Sequence, residues 1–255
     1  MKRLVQNLLE KFGYAIRRTS TLHGYDPGSV TRPIGEIKLF LEDIRARGFA
    51  PRGIFDVGAY KGEWAKVALS VFPKTPILMI EPQDEMVPFL SELTKSAPNC
   101  HHIKAGAGRK AGELVQTIWD DYAGSSFLPS EDPKLMEAGK QRKVRVITID
   151  SLLAQDYPQF VPDLVKFDVQ GFELEALSGA EILFGRTEVV ILEVSLFPFS
   201  PGWPLAREVI AYMSSKAYEL YDVPGYGRRP YDGALGQLDM AFVKANGRFR
   251  TVTDW

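Results

Sequence analysis

From Gly53 onward the chain alternates short apolar runs with amphipathic stretches. Apolar runs near 53–57, 77–81, 101–105, 164–168 and 188–194 predict strands. Helical periodicity near 62–72, 84–96, 172–184 and 204–216 predicts the helices between them. Strands and helices in this alternation predict an α/β fold, a mostly parallel sheet covered on both faces. The rhythm breaks at 114–119 and 143–149, which alternate like half-exposed antiparallel strands around a loop rich in Gly, Ser, Asp and Pro. Near the end, 218–223 and 240–243 predict a closing antiparallel pair. Residues 224–237 between them predict a long glycine-rich loop, suited to a lid or a substrate contact.

Ahead of the sheet, Leu4, Val5, Leu8, Leu9, Phe12 and Ile16 recur at helical spacing with cations opposite them. Two readings stay open: a helix packed on the domain, or one touching a membrane surface or a partner. Residues 23–33 hold two Gly and two Pro and predict a loop. Ile37, Phe40, Leu41 and Ile44 then mark a second amphipathic helix, ended by Gly48. The predicted organisation is a helical N-terminal extension over 1–48 and one α/β domain over 49–255.

Composition narrows the function classes. A net charge of −1 over 255 residues lacks the basic excess of a nucleic-acid binder. Cys100 is the single cysteine, which rules out an intrachain disulfide or a thiolate metal cluster and fits a reducing cytoplasm. Three histidines (His23, His101, His102) are too few for a His-rich metal centre, and no metal site is expected. No apolar run approaches the roughly 18 residues of a membrane span. The charged N-terminus lacks the features of a signal peptide. A soluble cytoplasmic protein is the expectation.

Two segments carry candidate chemistry. The first, IFDVGAYKG at 54–62, reads as strand, glycine turn and helix start, and the next apolar run ends at Glu81. Gly58 lets backbone approach a ligand closely, and a carboxylate at Glu81 can accept hydrogen bonds from both ribose hydroxyls of a nucleoside. Gly58 and Gly62 do not complete a dinucleotide G-x-G-x-x-G loop, because Ala59 and Tyr60 occupy that spacing. A pyrophosphate needs several close N–H groups; a sulfonium nucleoside accepts a looser turn. Asp56 is placed to orient the loop or touch the amino-acid tail of such a cofactor. The plainer alternative is a tight turn at Gly58 and a solvated strand end at Glu81.

The second segment is LVKFDVQGFELEALSGA at 164–180. Lys166 and Asp168, two apart on a strand, project to one face, and Asp168 lies at the strand's carboxyl end where open α/β sheets bind ligands. Gly171 permits a sharp exit, and Glu173 falls in the first helical turn, favoured there by the helix dipole. Glu193 interrupts the apolar run VVILEV, either as part of the site or as an ion-pair partner of Lys166 or an arginine.

DVGAYKGEW, Glu81-Pro82 and KFDVQGFELEALSGAE together resemble the FkbM-type S-adenosylmethionine-dependent methyltransferases. The resemblance continues through VRVITIDSLL (144–153) and VILEVSL (190–196), covering roughly 50–200 in family order. It implies a class I methyltransferase fold, a seven-stranded sheet with one antiparallel strand, and transfer to hydroxyl oxygens. By the same resemblance Asp56, Val57, Gly58, Ala59, Tyr60 and Gly62 would hold the methionine part of S-adenosylmethionine. Glu81, with Pro82 and Gln83, would hold the ribose. Gly106 and Ala107 at the third-strand exit, Ser126 and Asp168 complete the cofactor surface, although Arg109 stands where the family often has an acid.

Methyl transfer from a sulfonium is an in-line displacement, so alignment dominates and a base assists. Asp168 leads the catalytic candidates, followed by Glu173 and Glu193, with Lys166 as the partner charge. Trp203, Tyr226, Arg228, Arg229 and Tyr231 suit a sugar or acidic acceptor by stacking and bidentate bonds. His101 and His102 are read as packing residues. The expected function is methyl transfer to a hydroxyl of a small-molecule or sugar-type acceptor, without nucleic acid. A nicotinamide-dependent oxidoreductase and a non-catalytic module of the same fold are the rivals.

Overall fold

The computed structural model describes residues 32–129 and 131–254. The helix expected within the first twenty residues therefore lies outside the described residues. Among the described residues ten strands form: β1 (Ile54–Val57), β2 (Ile77–Ile80), β3 (Cys100–Ile103), β4 (Gly106–Ala107), β5 (Gly112–Thr117), β6 (Gln141–Ile147), β7 (Leu164–Phe167), β8 (Val189–Ser195), β9 (Tyr218–Arg228) and β10 (Leu235–Lys244). Seven of them make one sheet in the order β3-β2-β1-β7-β8-β10-β9. β1 runs parallel to both β2 and β7, and β10 runs antiparallel to β8 and β9. This is the class I methyltransferase sheet that the resemblance implied. The chain leaves β1 in one direction for β2 and β3 and returns on its other side as β7. A crevice opens at that reversal, outside the carboxyl ends of the strands.

Period-two alternation divides the sheet into two faces. Phe55, Val57, Val165, Phe167, Val190 and Leu192 point to one side, into a core closed by helices Glu173–Ser178 and Ala206–Ser215. Ile54, Leu164, Val189, Ile191, Ala241 and Val243 point to the other, under helices Ile37–Ala46, Glu63–Val71 and Val87–Ser96. Phe40, Leu41 and Ile44 are fully buried there, so the helix assigned to the N-terminal extension contributes to the domain core. On this second face the apolar rows end, at the carboxyl edge, in Asp56, Lys166, Asp168, Glu193 and Asp239. Register accounts for the grouping: Asp56 pairs with Lys166, and Glu193 with Asp239. Among the described residues, no helix is long and apolar enough to cross a membrane.

A second, three-stranded sheet (β4-β6-β5) stands over the carboxyl edge, with β5 and β6 antiparallel as their alternation predicted. Two expectations need correction. The loop expected over 224–237 is mostly strand: β9 runs through Arg228 and β10 begins at Leu235, leaving only 229–234 as the turn. Gly225 serves the ladder, since a Cβ there would lie 1.9 Å from the Asp239 carboxylate. The helix expected over 172–184 stops at Ser178, followed by a short 3-10 turn at Glu181–Leu183. Gly179 follows its last residue, with its backbone packed on the loop after β4, where a Cβ would meet the Gly108 carbonyl at 2.1 Å.

Gly58 sits at the switch point with φ +82°, and a Cβ there would lie 1.8 Å from the Asp168 carbonyl oxygen. Both the dihedral and the clash with backbone oppose any side chain. Gly58→Ala is expected to lower unfolding stability by at least about 2 kcal/mol in urea titration. Gly139→Ala, at φ +67° with open space around it, is expected to cost about 1 kcal/mol.

Candidate active site

Above the crevice lies a cavity of about 400 Å³, within the range of small-molecule and cofactor sites. The turn after β1 forms its floor. Gly58 and Ala59 both donate their N–H to the Ile80 carbonyl (2.9 and 3.0 Å), which folds the turn across the end of β2. Tyr60 takes a left-handed φ of +48°, aiming its N–H at Glu81 Oε2 (2.9 Å). Gln83 N–H donates to Glu81 Oε1 (3.0 Å). The Glu81 carboxylate is thereby locked into the wall, with lone pairs left for further donors. Burial raises its pKa above the ordinary carboxylate value, and the two backbone donors hold it back.

The roof is the loop after β5. Thr117 and Ser126 exchange two backbone hydrogen bonds, and Ser126 Oγ donates to the Gln170 carbonyl. Tyr60 Oη donates to the Asp121 carbonyl (3.2 Å), and Gln83 Nε2 to that of Tyr122 (3.2 Å). Three tethers thus join the roof to the turns after β1, β2 and β7. Two side-chain oxygens at the wall, Gln83 Oε1 and Gln116 Oε1, are buried without a hydrogen-bond partner. Unpaired buried acceptors carry a desolvation cost, which a ligand bearing an amino donor would relieve.

The far wall holds the charges. Lys166 Nζ donates to Asp168 Oδ2 (2.8 Å), and Gln170 Nε2 to Asp168 Oδ1 (2.8 Å). Gln170 Nε2 also donates to Glu193 Oε2 (2.7 Å), which accepts from Gln237 Nε2 as well (2.8 Å). Burial disfavours the Lys166 ammonium, but Asp168, Asp56 and Asp239 outweigh it and hold its pKa above the ordinary value. Asp168 goes below the ordinary value: burial opposes this, and the Lys166 charge and donors from Lys166 and Gln170 prevail. Glu193 goes well above, first through burial and then through the charge of Asp168. Neighbouring carboxylates of opposite protonation tendency are a familiar arrangement for proton transfer.

Of the residues singled out in the sequence, Val57, Gly58, Tyr60, Glu81, Pro82, Gln83, Gly106, Ala107, Ser126, Asp168 and Glu193 line this cavity. Five others stand behind its wall. Asp56 is fully buried, with neither carboxylate oxygen hydrogen-bonded, so it contacts no amino-acid tail directly. Ala59 packs in the apolar core, and Gly62 packs on Leu90 and Leu93 of helix Val87–Ser96. Lys166 reaches the cavity only through Asp168. Glu173 Oε1 accepts from Val169 and Gly171 N–H (3.1 and 3.2 Å), which closes the turn after β7 and takes the carboxylate away from the cavity.

Sequence reasoning missed Gln116, Asp121, Gln170 and Gln237, all of which line the cavity. Gln170 sits inside the DVQG run, a signal that was available; Gln116 and Gln237 lie in strands whose facing depends on partners far along the chain. Arg109 pairs with Glu175 (2.8 Å) and does not line the cavity. Among Trp203, Tyr226, Arg228, Arg229 and Tyr231, Trp203 lines a second cavity beside the first, and the other four line neither of these two. Among the described residues no group of three or more His, Cys, Asp or Glu is arranged to hold a metal ion.

Residues 56–220 match the model of the FkbM methyltransferase domain. The methyltransferase sdnD of Sordaria araneosa is 27% identical over 155 residues, spanning 50% of this chain and 60% of that protein. The chain thus spans 60% of that relative's length, less than two thirds of it. Among solved structures, the FkbM methyltransferase of Methylobacillus flagellatus is 17% identical with a TM-score of 0.47, covering 74% of this chain and 43% of that one. Precorrin-6y C5,15-methyltransferase of Geobacter metallireducens is 12% identical with a TM-score of 0.45, covering 82% and 86%.

Burial raises the carboxyls of Asp56 and Glu173 to about 7 each. Their folded pKa exceeds the unfolded one, so the folded state binds more protons between about pH 4 and 7. Stability from these groups is full at low pH and is lost as pH rises through about 7. Asp56→Asn is expected to reduce that loss by about 2–3 kcal/mol between pH 5 and 8. Denaturant titrations of both proteins across this range check it; parallel curves would refute it.

Proposed function

Because the chain belongs to the FkbM methyltransferase domain family, we propose that this methyltransferase uses S-adenosylmethionine and transfers its methyl group to a hydroxyl oxygen. The observation that carries the donor assignment is one cavity lined by the Gly58 turn, the Glu81 carboxylate and two residues with unpartnered amide oxygens. The missing Cβ of Gly58 makes room for the Asp168 carbonyl, which holds the turns after β1 and β7 together at the cavity. Glu81 retains lone pairs for ribose hydroxyls. Gln83 Oε1 and Gln116 Oε1 are acceptors without a donor, as a purine amino group requires. When bound, S-adenosylmethionine supplies an electrophilic methyl carbon with a neutral thioether as leaving group.

The chain's own residues then divide the acid–base work. Asp168, ionised and held by Lys166 and Gln170, is a weak base suited to orienting a hydroxyl. Glu193 has both glutamine donors on Oε2, leaving Oε1 to take the hydroxyl proton as the oxygen–carbon bond forms. Its raised pKa makes it the stronger base of the two. Lys166 keeps the ionised state of Asp168 affordable in a buried wall without touching the acceptor itself.

Calorimetry with S-adenosylhomocysteine tests the donor site: Glu81→Ala and Glu81→Gln are each expected to weaken binding at least about tenfold. Unchanged affinity in both would sink the ribose assignment. For the base, kcat is expected to rise with pH as Glu193 ionises. Glu193→Gln is expected to lower kcat about 100-fold or more and to remove that acidic limb, with S-adenosylhomocysteine affinity within about threefold of the unaltered protein.

A further inference from the structure

A second cavity, also about 400 Å³, adjoins the first and shares Gly124, Gln170 and Gln237 with it. Its remaining walls are Trp119, Phe199 and Trp203, with Leu128, Pro129 and Ser200 between them. The Trp203 indole lies against the turn after β7, where a Cβ on Gly171 would come within 2.5 Å of the ring. Gly171, at φ +88°, therefore serves the turn and the seating of the indole together. Phe199 meets Trp203 edge to face, with ring centroids 5.8 Å apart. The aromatic wall is thus built on the same motif that holds Asp168.

None of the residues lining this second cavity carries a charge. The nearby Arg229 guanidinium is engaged elsewhere, stacked 4.0 Å over Phe197 and 3.5 Å from Asp232. A phosphate or carboxylate in the cavity would face Asp168 and Glu193 across the shared glutamines without a counter-charge. Gln170 spends both amide hydrogens on those carboxylates and Gln237 one of its two on Glu193, so two carbonyl oxygens and a single amide hydrogen are left to offer a ligand. Fixed carbonyl acceptors suit hydroxyl donors. Two indoles and a phenyl ring suit a flat apolar face. An uncharged pyranose offers both, hydroxyls around its rim and C–H groups on its face.

We propose that this second cavity is the acceptor subsite and that it takes the ring of an uncharged sugar, presenting one hydroxyl between Gln170 and Gln237 to Glu193. The proposal rests on the donor-site reading above and adds to it the place and chemical class of the acceptor. Transfer would form the bond between that hydroxyl oxygen and the methyl carbon, break the carbon–sulfur bond, and leave the proton on Glu193.

The test uses the full chain saturated with S-adenosylhomocysteine and titrated calorimetrically with methyl glucoside, methyl mannoside and methyl rhamnoside. Glucose 6-phosphate, glucuronate and phenol are titrated beside them. At least one neutral glycoside is expected to bind, at least about tenfold more tightly than the charged sugars and phenol. Trp203→Ala is expected to weaken that binding at least about tenfold, and Trp203→Phe to keep most of it, with S-adenosylhomocysteine affinity within about twofold in both. Should Trp203→Ala fail to fold, Phe199→Ala takes its place with the same expected direction. Failure of every neutral glycoside to bind, preference for a charged sugar or phenol, or indifference to both aromatic substitutions would overturn the proposal. If the unaltered protein bound no S-adenosylhomocysteine, the donor-site reading itself would fall, a separate and distinguishable result.

Discussion

One buried ammonium organises the carboxyl edge of this sheet. Lys166 lies under the cavity wall with Asp56, Asp168 and Asp239 as its charge partners and Glu193 close by. A single positive charge cannot keep four neighbouring carboxylates ionised in so buried a site. Asp168, in direct contact, keeps its charge; Glu193 and Asp56 move toward the protonated form. The wall therefore presents an anion and a carboxyl that holds its proton more tightly side by side, a division of labour set by contact with Lys166 rather than by residue type.

The cation can sit there because the sheet brings the acids to it. Alternation puts Asp56, Lys166, Glu193 and Asp239 on one face, and parallel register aligns Asp56 with Lys166 across β1 and β7. Gly58 and Gly225 leave room where side chains would collide with Asp168 or Asp239. Breaking such a buried set by removing the cation leaves uncompensated charge, typically at about 3–5 kcal/mol. The polar edge thus depends on the apolar rows beneath it, which hold the strands in register.

Two cavities meet at this edge, and the two glutamines between them belong to both. Gln170 comes from the turn after β7, and Gln237 from the antiparallel strand β10. Both donate to Glu193 Oε2, so the carboxylate is pinned at the seam. The roof loop is tied to three separate turns, which couples the first cavity to the same turn that seats Trp203. On the proposed function, alignment of donor and acceptor is thus carried by a few short polar contacts at one junction.

Local spacing along the chain determined the strand–helix rhythm, the Gly58 turn, the acid at Glu81 and the common face of Lys166 and Asp168. Each of these depends on neighbours within a few residues, through the two-residue strand period and the steric freedom of glycine. Tertiary structure alone decided which of those residues reach the cavity. Asp56 and Glu173 belong to the same motifs as Gly58 and Asp168, yet one is sealed in the sheet and the other folds back onto backbone amides. Gln116 and Gln237 join the cavity lining from β5 and β10. Their spacing carries no sign of this, because long-range packing and strand order bring them to the edge. The same packing turned most of 224–237 into ladder, since a strand already waited at β8 to pair with it.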